Sequence, residues 1–398
     1  MEAVRLLPQS KILQEWWQEV KGNFWEEEAK PQVLRLVKEL MESTMKEELE
    51  EYTGRKRYER KQENTYYRNG YYKRALVTEF GTVNEIKVPT VRGGSFRPSV
   101  FKRYKRYQDI VEDIVEDIFL SGVSTRRVGA ALSKLLDTKV SHGTVSNITR
   151  RLDKRVKEFH KASILDEYQH LFLDGITLKI RYNSKYCNRK VLTAYGITVF
   201  GQRKLLGFMQ AKGESADCWE AVVNDLYRRG FEGKNLRLIT IDGSKGLRRA
   251  LRLVYPRIPV QRCWVHKLRN VSNYLPKRYH DECIAQARSI YLAEDRVSAM
   301  EKFKQWRKTW YSKCPKAVIC LENDLEELLT FFDCPKEQRI KIRTTNVIER
   351  SFREVRRRTR VFSCFSNRQS CERIIYAIFT HLNNQWKERP LKEFTEFA

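Results

Sequence analysis

Among fifty Asp and Glu residues, three acidic positions stand in contexts suited to phosphodiester chemistry. Asp174 and Asp242 each close an apolar run and precede glycine, in Leu171-Phe172-Leu173-Asp174-Gly175 and Thr240-Ile241-Asp242-Gly243. Carboxylates at strand ends of an open α/β sheet face a crevice while held on a rigid element. Each also has an ordinary explanation, since Asp-Gly is a common turn pair. The third, Glu349, lies in Thr345-Asn346-Val347-Ile348-Glu349-Arg350. There it is either the third position of a capping box begun by Asn346 or a carboxylate held at the positive end of a helix. Two Mg²⁺ or Mn²⁺ ions shared by such a trio would activate water and stabilise a leaving phosphate oxygen. Without cations, clustered carboxylates raise one another's pKa, which makes the trio hard to explain structurally.

The rest of the composition fits a nucleic-acid substrate. The chain has 398 residues, with 77 Lys+Arg against 50 Asp+Glu and a formal charge of +27, well beyond what solubility requires. A membrane surface is the weaker polyanionic partner. The longest uncharged apolar stretches, Val191–Gln202 and Ile374–Trp386, are too short to span a bilayer, and the N-terminus has no signal-peptide pattern. Nine scattered cysteines form no disulfide framework, and a reducing cytoplasm or nucleoid is expected. No P-loop, dinucleotide fingerprint or Gly-x-Ser-x-Gly elbow is present.

The elements expected to carry these groups fall into six segments. Residues 1–54 read as helical, with Pro31 at a helix start and Gly54 as a stop. Residues 55–107 hold short strands at 75–79 and 83–88 between the basic-aromatic clusters at 55–60 and 101–107. Residues 108–160 read as three helices, the last capped by Ser141 and carrying Val145, Ile148, Leu152 and Val156 on one face. Residues 165–262 alternate as strands, with one ending at Asp174 and another resuming at Ile176, then a helix capped by Ser215 and a strand ending at Asp242. Residues 263–340 are mostly helical, with Phe303, Trp306 and Trp310 as core candidates, and residues 341–398 give two helices broken near 361–366.

Several groups are candidates for DNA contact. The pair of helices in 124–158 reads either as a helix-turn-helix or as an ordinary helical hairpin. In the first reading His142, Thr144, Asn147, Arg150 and Arg151 face DNA, and Lys245 is a further contact beside Asp242. Arg350, Arg353, Arg356 and Arg357 crowd the helix that carries Glu349. Such a run is often only a solvated face, but next to a proposed metal ligand phosphate positioning is the stronger reading. The basic-aromatic clusters suit a DNA backbone and unpaired bases, or else place their rings in a core. Cys263-Trp264-Val265-His266 offers two of the four ligands a structural zinc site needs, so a buried thiol and a packed or phosphate-facing histidine are favoured.

Taken together, the three acidic stretches, Cys263-x-x-His266 and the upstream run from Tyr67-Arg68-Asn69-Gly70 to Gly93-Gly94 resemble the Mutator-type insertion-sequence transposases of bacteria. The resemblance implies an α/β RNase H-like catalytic core with a helical insertion, preceded by N-terminal helical and helix-turn-helix DNA-binding regions. It also implies an Asp174, Asp242 and Glu349 triad with Cys263 and His266 supporting the pocket. The implied activity is binding of terminal inverted repeats in double-stranded DNA, strand cleavage and transfer into target DNA, by a homodimer or larger homo-oligomer. The gaps of 68 and 107 residues between the acids leave room for the helical segment. A silent DNA-binding regulator and a nuclease without strand transfer are the rival readings.

Overall fold

The computed structural model describes residues 24–56, 58–59, 66–101, 107–120, 123–136, 140–182, 185–360 and 364–395, and its two compact units divide between Arg150 and Arg151. Arg57 and Arg60 of the first basic-aromatic cluster, residues 102–106 of the second and residues 361–363 of the expected break at 361–366 lie outside the described residues.

In the first unit, α1 (Lys30–Thr53) has Pro31 in its first turn and ends at Gly54, whose φ of 64° favours glycine. Met41, Met45 and Leu49 form its buried face. Met41 and Met45 pack with Leu76, Val83, Ile86 and Val88 of an antiparallel hairpin, β1 (Tyr67–Thr78) and β2 (Gly81–Arg92). These strands outrun the expected short pieces. Only the turn end of β1 is buried, so Tyr67–Arg74 carries no apolar alternation for a sequence reading to find. Three helices follow, α2 (Asp109–Leu120), α3 (Thr125–Leu135) and α4 (His142–Thr149). They share a core of Val111, Val115, Val128, Leu132, Val145 and Ile148. Ser124 and Ser141 cap α3 and α4 by accepting from the N–H groups of Arg127 and Thr144. Gly129 lets the segment before α4 approach α3, because a Cβ there would lie 2.7 Å from the Val140 carbonyl oxygen.

The long third helix expected from Ser141 is two helices. Backbone hydrogen bonds tighten to i→i−3 at the junction, from Arg150 N–H to Asn147 O and from Lys154 N–H to Arg151 O. Val145 and Ile148 belong to the first unit's core, while Leu152 and Val156 are buried in the second. The shared apolar stripe therefore serves two cores, and no glycine or proline marks the break.

The second unit opens with α5 (Leu152–Lys161) and a mixed sheet. β3 (Tyr168–Tyr182), β4 (Lys185–Thr198) and β5 (Arg203–Ala211) form an antiparallel meander. After α6 (Ala216–Arg228), β6 (Leu238–Ile241) returns parallel to β3. After α7 (Lys245–Val254), β7 (Val260–Arg262) pairs parallel to β6. The strand order is β5-β4-β3-β6-β7. Leu171, Leu173, Leu192 and Leu206 on one face pack on Trp219, Val222, Val223 and Leu226 of α6 and Leu247 and Leu251 of α7.

A helical segment follows: α8 (Trp264–Ser272), α9 (Lys277–Tyr291), α10 (Arg296–Trp310), α11 (Pro315–Glu322), α12 (Leu325–Leu329) and α13 (Arg339–Ile342). Phe303, Trp306 and Trp310 are buried in it as the sequence predicts. Asp324 ties it to the sheet region by accepting from Arg248, Arg262 and Lys267. Finally α14 (Asn346–Thr359) and α15 (Arg368–Lys387) return to the sheet's other face, where Phe379 meets Phe208 at 5.4 Å between ring centroids. No helix among the described residues is long and apolar enough to cross a membrane.

Arg229 joins three elements of this unit. Its guanidinium donates to the carbonyls of Phe159, Ala162 and Leu206 and pairs with Asp225 at 3.2 Å. Arg229→Met leaves those buried acceptors unpaired, and urea denaturation is expected to show a loss of about 3 kcal/mol.

Candidate active site

Asp174 does not end a strand. β3 runs unbroken through it, and Gly175 pairs with Leu192 rather than turning. What ends there is the neighbour: β6 pairs with β3 only as far as Leu173 opposite Ile241. Asp174 and Asp242 thus each follow the last paired residue of adjacent parallel strands, at the carboxyl end of β6, where an open α/β sheet forms a crevice. Asp242 does start a turn. Its Oδ1 accepts from Ser244 N–H at 2.8 Å, and Gly243 follows at φ 99°. A Cβ on Gly243 would lie 2.2 Å from Arg262 Nε, so glycine is needed for both its dihedral and its space.

Glu349 reaches the same place from the first turn of α14. The capping box expected from Asn346 is absent. Thr345 occupies the N-cap position without a side-chain cap, and its hydroxyl donates to Glu349 Oε1 at 3.3 Å. That oxygen also lies 2.8 Å from His266 Nε2, so His266 faces a carboxylate and is not simply packed. Cys263 is the expected buried thiol. Its sulfur accepts from Thr345 N–H at 3.3 Å and lies 3.4 Å from the Thr345 hydroxyl oxygen. The Cys-x-x-His spacing thereby acquires a physical meaning. One residue holds the segment before α14, and the residue one helical turn later meets the carboxylate that α14 presents.

Ligand atoms of Asp174, His266 and Glu349 all lie within 4.8 Å of one another. Asp242 stands outside that group, yet its charge acts on both Asp174 and His266. Burial pushes the Asp174 carboxyl up to about 7, and repulsion from Asp242 and Glu349 adds to the rise. Glu349 is held low, chiefly by its hydrogen bond with His266, and His266 is raised by the same bond. A buried carboxyl made costly to ionise by its acidic neighbours, with oxygen donors and an imidazole around it, is a donor set that fits a divalent cation. The signal for His266 was present in the Cys-x-x-His pattern, but its pairing with Glu349 spans 83 residues and has no local signature.

The expected DNA contacts are dispersed. His142, Asn147 and Arg150 are exposed on or just after α4, while Thr144 is half-buried, with its hydroxyl 3.0 Å from the capping Ser141 hydroxyl. Arg151 and Lys245 are exposed in the second unit. Arg350, Arg353, Arg356 and Arg357 are exposed on α14, and Arg357 pairs with Glu354.

Residues 13–389 match the model of the family described as transposase, Mutator family. The chain belongs to the Mutator family of transposases. It is 32% identical over 353 residues to the transposase of insertion sequence element ISRM5 from Rhizobium meliloti, covering 89% of this chain and 88% of that protein. Against the IS406 transposase of Burkholderia multivorans, identity is 34%, with coverage of 87% and 89%. Against the IS256 transposase in transposon Tn4001 of Staphylococcus aureus, identity is 32%, with coverage of 86% and 87%. Among solved structures, the Drosophila P element transposase strand transfer complex aligns with a TM-score of 0.32 at 13% identity, over 73% of this chain and 84% of that one.

The raised Asp174 makes stability depend on pH. Unfolded, the group ionises near pH 4, whereas folded it keeps its proton to about 7. The folded state binds more protons in that window, so this group's contribution to stability falls as pH rises through it. In cation-free protein, Asp174→Asn is expected to gain stability over the wild type at pH 8 and to lose that advantage at pH 4, as read from urea midpoints at the two pH values. An equal advantage at both would contradict the assignment.

Proposed function

We propose that this transposase cuts and joins DNA strands at the pocket where Asp174, Asp242 and Glu349 meet beside His266. The observation that carries the reading is the approach of Asp174 on β3 and Glu349 on α14 to within 4.8 Å beside His266, with Asp242 at the end of β6 near enough for its charge to act on Asp174, although the acids lie 68 and 107 residues apart in sequence. An antiparallel three-strand meander followed by two parallel strands on the far side of β3 supports an RNase H-like core.

Two Mg²⁺ or Mn²⁺ ions, when bound, would make hydroxide available at neutral pH and stabilise the leaving oxygen of an in-line displacement. Asp174, Asp242 and Glu349 are the residues that would hold them. The chain supplies the order around them. Asp174 sits within β3, paired to Thr193 of β4 and one residue past the last pairing with β6, and Ser244 N–H fixes the carboxylate plane of Asp242. His266 and Thr345 orient Glu349, and Cys263 holds Thr345 in turn. Cleavage and strand joining are both phosphoryl transfers, with water as nucleophile in the first and a freed 3′-hydroxyl in the second, so one centre serves both.

In the same reading α3 and α4 act as a helix-turn-helix for the terminal repeats, with His142, Thr144, Asn147 and Arg150 toward DNA. Arg151, Lys245 and the α14 residues Arg350, Arg353, Arg356 and Arg357 contact phosphate. Joining two ends in one reaction calls for at least two copies of the chain.

Asp242→Asn is expected to abolish nicking of end-bearing duplex in Mn²⁺ while leaving duplex affinity within about twofold, since binding by phosphate contacts does not need this side chain. Binding without nicking by the wild type would favour the silent regulator, and nicking without 3′-end joining would favour the nuclease. Asn147→Ala is expected to weaken end DNA over random DNA by roughly 1–3 kcal/mol in gel-shift titrations, the cost of a lost base-edge contact. Equal weakening on both DNAs would remove α4 from sequence reading.

A further inference from the structure

Beside α14, on a side of the helix that Glu349 does not face, lies a cavity of about 430 Å³ between α14, α15 and the start of β5. Its lining is cationic and aromatic: Arg203, Lys341, Arg350, His381 and Trp386, with Ser351 among the lining residues. Some of that charge is already matched, since Lys341 pairs with Glu393 at 3.0 Å, and Glu354 is shared by Arg357 and Arg358. Arg203 and Arg350 have no ion pair among the described residues, and the Arg203 guanidinium lies 5.0 Å from the centre of the Trp386 ring. Two buried polar atoms of the lining residues lack any partner, the Ser351 hydroxyl, on a residue 1% exposed, and Arg203 Nε. Unpartnered buried donors are uncommon and call for a ligand or an ordered water. A space of this size is far larger than one water needs and suits a small organic anion.

We propose that this cavity binds a single nucleotide unit, its phosphate held by Arg350 and Arg203 with Ser351 donating, and its base against Trp386. Guanidinium pairs and a hydroxyl suit phosphate oxygens, and an indole gives a stacking surface indifferent to base identity. Because Arg350 follows Glu349 on the same helix, a nucleotide held here belongs to a strand passing the reaction centre, or else to a free nucleotide competing for that place. The proposal rests on the reading of the chain as a DNA-cutting transposase.

The test compares three probes by fluorescence competition on the full chain: blunt end-bearing duplex, the same duplex with a three-nucleotide single-stranded flank, and dTMP. The wild type is expected to prefer the flanked duplex to the blunt one. Arg203→Gln is expected to cut flanked-duplex affinity about tenfold, the loss of one charge-assisted phosphate contact, and to leave blunt-duplex affinity nearly unchanged, whereas Arg350→Gln, which also removes a duplex phosphate contact, is expected to weaken both duplexes but the flanked one by the clearly larger factor. Arg350 is exposed, so its variant keeps the test valid even if Arg203→Gln unfolds. Competition by dTMP that both variants abolish would support the same site with a free nucleotide as its source. Equal affinity for the two duplexes without dTMP competition, or variants that lose both duplexes alike, would overturn the proposal. Asp242→Asn separates the two readings, because it should lose nicking yet keep the flank preference.

Discussion

The arrangement depends on one electrostatic constraint. The carboxylates of Asp174 and Glu349 lie with His266 within 4.8 Å of one another, the charge of Asp242 acts on Asp174 from nearby, and Asp174 is almost fully enclosed. Burial and mutual repulsion both oppose ionisation there, so the charged form exists only if something nearby compensates. The chain offers partial compensation from His266 and from the N-terminal turn of α14, where the helix dipole favours Glu349 as an anion. On the proposed reading, the remainder would come from bound cations. Rigid elements are what make this tolerable, because a loop would relax by swinging the charges apart.

That rigidity is built across large sequence distances. Cys263 N–H bonds to Ile241 O at 2.7 Å, placing the start of α8 at the end of β6, and Trp264 N–H bonds to Arg343 O. Cys263 then engages Thr345, and Thr345 engages Glu349. The helical segment between them is fastened as well, through Asp324 with its three cations and through Trp264 Nε1 and Gln261, which both donate to Leu328 O. A polar group so enclosed is costly to leave unpaired, so these contacts resist separation of the second acid from the third.

Much of this could be read from residue order, and the misses have physical causes. Asp174, Asp242 and Glu349 were visible because each ends an apolar run or opens a helix, features set by local periodicity. The α6 cap at Ser215, Gly54 and the tryptophans of α10 were legible for the same reason. Asp174-Gly175 misled because the same dipeptide suits a turn or a strand, and pairing with β4 decided between them. The break between α4 and α5 could not be seen, since it arises where one apolar stripe is divided between two cores. The exposed end of the β1–β2 hairpin lacks alternation because no described residue covers it. The pairing of His266 with Glu349 is purely tertiary.

The formal charge of +27 and the acidic pocket act in opposition, and that opposition has a consequence for order of events. The basic surface attracts a polyanion from any direction and does so without cations. The pocket repels the same polyanion as long as its carboxylates are uncompensated, because phosphate oxygens and carboxylates carry like charge. On the proposed reading, DNA would be held by the arginine face of α14 while the scissile phosphate is kept from Asp174 and Glu349. In the same reading, the pocket carboxylates would hold divalent cations, whose charge would remove that barrier. Attachment and reaction would thus be separable by charge alone, because α14 carries both exposed arginines and, in its first turn, the glutamate of the proposed pocket.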